Sequence, residues 1–129
     1  MNSFMFRGIC QQDVYDELMS LKVDKSTIRI PRKCVKLAAN HIHEPLTIIF
    51  NQSLLQGIFQ DNFETSRVTP VDKGGDAINP FNYRPISTLF ALARIFEKLV
   101  CKQIANYLER HNIFLQSQFG FRKGILLPK

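Results

Sequence analysis

The chain reads as an α+β protein, mainly helical, with three to four helices and one short β-hairpin around residues 65–86. Three observations lead there. Apolar residues recur at three- and four-residue steps over much of the length. A Gly-Gly turn separates two short stretches at 65–71 and 77–86 that suit strands. A content of 45% hydrophobic and 22% charged residues is that of a chain that folds around a core, which excludes wholesale disorder. The 129 residues suffice for one domain or a piece of one.

Each element has its own signal. Residues 13–21 set Val14, Leu18 and Leu21 at helical spacing among acids, predicting a first helix. A polar, β-branched connector follows and ends at Pro31. Cys34, Val35, Ala38, Ile42, Leu46, Ile49, Phe50 and Leu54 then form one helical stripe. Pro45 falls inside it and removes a backbone donor, so two helices are expected, over 32–41 and 45–56. Gly57 is placed to stop the second.

Asp72-Lys73-Gly74-Gly75-Asp76 is the expected reversal between the strands, because glycine adopts the positive φ that tight turns need. Pro70, Pro80 and Pro85 restrict the pair to edge-type strands. Ser87 is the expected N-cap of a last helix over 88–111. Its apolar face carries Leu89, Leu92, Phe96, Leu99, Val100, Ile104, Tyr107 and Leu108. Residues 116–123 are expected as a loop or short strand, with Gly120 and Gly124 as hinges. Eleven phenylalanines and no tryptophan predict a core of Phe, Leu and Ile.

A net charge of +6 suits an anionic partner, nucleic acid first. The charge is uneven: from Arg94 onward seven basic residues stand against Glu97 and Glu109. That distribution fits either a phosphate-facing surface or a solvated helix face. Cys10, Cys34 and Cys101 are odd in number with no CxxC spacing, which points to reduced thiols rather than a disulfide framework or zinc module. His41 and His43, two apart, cannot face one way on a helix and read as a solvated helix end. His111 suits a helix C-terminus. Neither a signal peptide nor a membrane span is expected, so the expected location is cytoplasmic or nuclear.

The candidate site centres on Lys73 and Arg84, either side of the glycine turn. If the flanking segments pair, both cations project from one hairpin. Arginine offers a planar fork for two phosphate oxygens and lysine a compact point charge, a combination fit for a triphosphate or a nucleic-acid backbone. The alternative is structural: Arg84 paired with Asp76 to hold the turn, and Lys73 solvated.

Four short words stand in order along the chain: V-T-P-V-x-K at 68–73, N-Y-R-P-I-S at 82–87, I-F-E-K-L-V at 95–100 and Q-F-G-F-R-K-G at 118–124. N-x-S-L-x-x-G-x-F precedes them at 51–59. This arrangement resembles the opening of the polymerase domain in reverse transcriptases of non-LTR (LINE-type) retrotransposons, over about residues 18–124. The resemblance implies a fingers-like piece of an RNA-directed DNA polymerase. It implies triphosphate contacts for Lys73 and Arg84, and template contacts for Arg122 and Lys123. Its implied partners are an RNA or RNA–DNA template-primer, a deoxynucleotide triphosphate and the missing palm portion, with no membrane. Mg²⁺ is implied for the full-length family enzyme, and no cofactor for this piece. The implied organisation is an N-terminal tail at 1–12, a partial reverse transcriptase domain at 13–124 and a tail outside the family pattern at 125–129.

The family's metal-binding aspartates, the later pair in an Ala-Asp-Asp turn, have no counterpart here. The last aspartate is Asp76, the last glutamate is Glu109, and no two aspartates are adjacent. Asp72 and Asp76 read as turn residues rather than a metal pair. The expectation is a fingers fragment truncated before the catalytic carboxylates and inactive alone as a polymerase. Departures from the family pattern point to a degraded copy: residues 26–30 stand where a glycine–proline–aspartate–glycine turn is usual, Gln60 stands where proline is common, and 125–129 replace a serine-threonine run. Two other readings stay open, a non-catalytic nucleic-acid-binding module and an inactive transposon relic.

Overall fold

Helical periodicity and phenylalanine content converge on one body. The computed structural model describes residues 3–23, 30–59 and 61–114. Its helices are α1 (Gln11–Met19), α2 (Arg32–Leu37), α3 (Ala39–Gln56), α4 (Asp61–Glu64) and α5 (Ala91–Arg110). Between α4 and α5 the chain makes one antiparallel pair, β1 (Ser66–Asp72) and β2 (Tyr83–Leu89). The mainly helical α+β fold read from the sequence is the fold observed. The expected loop at 116–123 lies outside the described residues.

Val14 and Leu18, one turn apart on α1, are sealed from solvent, and α1 packs chiefly on α3. Phe50 of α3 is the largest fully buried side chain and meets Phe96 of α5 at 4.9 Å between ring centroids. Phe59 stacks on Phe96 at 5.6 Å, and Phe63 of α4 lies 6.3 Å from Phe90. Such ring pairs add specific geometry to the large apolar area they bury. The phenylalanine core expected from composition is therefore the joint of α3, α4 and α5.

Two boundaries and one helix face differ from the sequence reading. Pro45 does not break its helix: α3 runs through it, and the interruption falls at Ala38, between α2 and α3. Pro45 and His41 are both exposed, so the carbonyl that proline deprives of a donor lies on the wet side of the helix. Gly57 stops α3 as expected, at φ 66°. Ser87 is not a cap. It pairs with Val68 in the sheet, and α5 begins after Phe90, which is extended and buried against Phe63. Ladder bonds and a buried ring outweigh one serine cap. The apolar face of α5 also differs. Ala93 and Ile95 are buried and Ile104 is exposed, because the helix packs into the body through its first half.

Residues 3–10 form an extended strap across α3 and α5, held by two carboxamides. Asn51 accepts from Ile9 N at 2.7 Å through Oδ1 and donates to Ile9 O at 2.9 Å through Nδ2. Gln103 does the same for Arg7, at 2.8 and 2.9 Å. Each side chain stands in for a neighbouring strand, and Ile9 is buried between them. Among the described residues no helix is long and apolar enough to cross a membrane.

Candidate functional site

The hairpin is positioned by its ladder and by a chain of side-chain turns. Pairing runs from Ser66↔Leu89 to Asp72↔Tyr83, and Lys73 N extends it by donating to Asn82 O at 2.7 Å. That bond sets the alternation of the ladder: Lys73–Asn82 and Val71–Arg84 are hydrogen-bonded pairs, and the facing prolines Pro70 and Pro85 fall on a non-hydrogen-bonded pair. Two residues without an N–H thus sit where no ladder donor is required. The second strand is shorter at its start than the expected 77–86. Asp76 to Asn82 are instead turn and 3₁₀ backbone, because their polar side chains capture the local N–H groups.

Those captures are specific. Asp72 Oδ1 accepts from Gly74 N at 2.7 Å, Asp76 Oδ1 from Ile78 N at 3.0 Å, and Asn79 Oδ1 from Phe81 N at 3.0 Å. Asn82 Nδ2 donates to Asp76 O at 2.8 Å, and Tyr83 Oη to Ala77 O at 2.9 Å. Gly75 has φ 108°, and a Cβ there would lie 3.1 Å from Asn82 Nδ2, so only glycine fits the bend.

Side chains alternate between the two faces of a strand. The register therefore puts Arg67, Thr69, Val71 and Lys73 on one face with Arg84, Ile86 and Thr88, while Asp72 points to the other. Lys73 and Arg84, the pair named from sequence, share that face as diagonal neighbours, ~7–8 Å apart at the backbone. Both are exposed. Lys73 Nζ donates to Phe81 O at 3.2 Å. Among the described residues the Arg84 side chain makes no hydrogen bond or ion pair, so the alternative pairing with Asp76 is not formed. Arg67, missed by sequence reasoning, is a third cation on this face, about 13 Å along the strand from the Val71–Arg84 pair. Its signal was present in the two-residue period that links 67, 69, 71 and 73.

No protein-family model matches the chain. Over 80 residues, 61% of its length, it is 31% identical to the probable RNA-directed DNA polymerase from transposon X-element of Drosophila melanogaster. A second relative there, the probable RNA-directed DNA polymerase from transposon BS, is 30% identical over 80 residues. The chain is reverse-transcriptase-related. It spans only 9% of the length of either relative.

The other candidates of this polymerase-related chain are arranged differently. Two of the cations on α5 turn to the acids of α1: Lys98 pairs with Glu17, and Lys102 lies 3.8 Å from Asp13. The basic face of α5 is thus partly neutralised within the body. Arg122 and Lys123 lie outside the described residues. His41 is exposed, whereas His43 Nδ1 lies 3.0 Å from Ala39 O and its ring meets Tyr15 at 5.6 Å. The three cysteines are free and exposed.

Among the described residues the carboxylates do not gather into a magnesium site. Asp72 and Asp76 each serve a backbone N–H of their own turn, and among the described residues no three His, Cys, Asp or Glu side chains converge. Two-metal phosphoryl transfer needs clustered carboxylate oxygens, which this donor set does not supply.

Proposed function

We propose that the chain is a fingers portion of a non-LTR transposon RNA-directed DNA polymerase, and that its hairpin holds the triphosphate of an incoming deoxynucleotide through Lys73 and Arg84. The observation that carries this reading is the shared exposed face of the two cations, with the neighbouring carboxylates engaged in turns. Arg84 presents its fork to two phosphate oxygens and Lys73 adds a point charge beside it. Arg122 and Lys123 bear on the RNA or RNA–DNA template. Bond formation falls to carboxylates that this sequence lacks, so the chain binds without catalysing. Ile48 and Leu55, 54% and 87% exposed and two turns apart on α3, offer apolar surface for the palm portion to cover.

Titration of the purified chain with a deoxynucleotide triphosphate tests the grip. Arg84→Ala should weaken binding about tenfold, the worth of a charge-assisted contact. An unchanged affinity sinks the assignment. Incubation with primer, template, Mg²⁺ and nucleotides should incorporate nothing, and measurable extension would overturn the claim of inactivity.

A non-catalytic nucleic-acid-binding module is the second reading, favoured by the net charge of +6 and by three exposed cations on one hairpin face. It predicts affinity for RNA that falls steeply with salt whether or not a nucleotide binds.

A further inference from the structure

A second constellation lies at the far end of α5, about 25 Å along the helix from the base of the hairpin. Four aromatic rings form a row there: Phe6 to Phe4 at 4.8 Å, Phe4 to Tyr107 at 5.1 Å, and Tyr107 to His111 at 4.2 Å. The row borders an open cleft of about 520 Å³ between the strap and α5, and among the described residues no acidic side chain lines it. Arg7 and Arg110 stand at its rim. Their guanidinium groups, both exposed, make no hydrogen bond or ion pair among the described residues.

The cleft is preformed. Gln103 clamps both backbone groups of Arg7, and His111 Nδ1 lies 2.9 Å from Tyr107 O, which sets the ring over Tyr107. The end rings of the row, Phe6 and His111, are exposed. An aromatic row with open ends, flanked by arginines and free of carboxylates, matches what an unpaired base and its phosphates require. A base lays its face on the exposed end ring, the phosphates meet the guanidinium groups, and the sequence of bases matters little.

We propose that this cleft is a binding site for single-stranded nucleic acid, with a base stacked on Phe6 and its flanking phosphates held by Arg7 and Arg110. The site is separate from the hairpin, and it stands whether or not the hairpin grips a nucleotide.

The test uses the 129-residue chain and an eight-nucleotide single-stranded RNA carrying one 2-aminopurine, whose fluorescence falls on stacking. Binding should quench it. Phe6→Leu keeps an apolar contact with the strap but removes the aromatic face, so affinity should fall at least about fivefold and the quench should diminish. Arg110→Gln, at an exposed position outside the packed row, should weaken binding and lower the slope of log affinity against log salt by about one. Lys33→Gln, an exposed cation of α2 outside the cleft lining, should leave the quench unchanged, which separates this site from the general surface charge. Full quenching in Phe6→Leu, a salt slope unaltered in Arg110→Gln, or equal affinity for a duplex of the same length overturns the proposal.

Discussion

In the helical body Phe50, Val14 and Leu18 are sealed from solvent, whereas every residue of β1 is exposed and none of β2 is fully buried. The body is held by apolar burial, the non-directional term that dominates folding. Among the described residues the hairpin is held by its ladder and by six side-chain bonds within its turn. Charge divides the same way. Between α1 and α5 two cations, Lys98 and Lys102, pair with acids across helices, while among the described residues Arg67 and Arg84 of the hairpin meet no acid and its aspartates serve its own backbone. The difference teaches that apolar burial stabilises the body, whereas the hairpin stands on backbone pairing and leaves its arginines unneutralised.

Four substitutions sharpen or break that comparison. The largest effect is expected for Phe50→Ala, which empties the joint of α3, α4 and α5. It should cost about 3–5 kcal/mol in urea unfolding followed by circular dichroism. A loss under about 1 kcal/mol would mean that the body is not the stabilising region.

Asn51→Ala is next. It strips both backbone partners from Ile9 and should cost about 1–3 kcal/mol. Amide exchange at Ile9 N should accelerate with it, and protection that survives would show that the strap does not depend on Asn51.

Lys98→Met should cost less, about 1 kcal/mol, because the lysine itself is 61% exposed, although its partner Glu17 is only 16% exposed. Its thermal midpoint measured at low and high salt should differ from that of the parent chain only at low salt. The smallest effect is reserved for Arg84→Ala, expected within about 0.5 kcal/mol of the parent, since nothing in the fold leans on that side chain. A clear destabilisation there would assign Arg84 a structural task and dissolve the contrast between the two regions.

Much of the fold was legible because its signals are local. Val14 and Leu18 announce α1 within one turn of helix, Gly57 marks the end of α3 by the φ only glycine adopts cheaply, and Gly74-Gly75 announces the reversal. The site was legible in part. Lys73 and Arg84 could be named, but their common face required the register, and the register requires knowing that Val71 opposes Arg84. Pro45 and Ser87 misled for one reason. Each carries a local preference worth about 1–3 kcal/mol. At Pro45 helix continuity on a wet face prevailed over that preference, and at Ser87 the sheet pairing and a buried Phe90 did.

By itself, then, the order of residues determined the helices, the glycine stops, the hairpin and the excess of positive charge. Each follows from spacing and backbone preference within a few positions. Tertiary structure alone decided which cations are neutralised and which stand free. Glu17 meets Lys98 across 81 positions, Asn51 meets Ile9 across 42, and four rings gather from the two ends of the chain. Pairings at such distances are set by how the helices pack, and no local pattern encodes which side chain will be waiting on the other side.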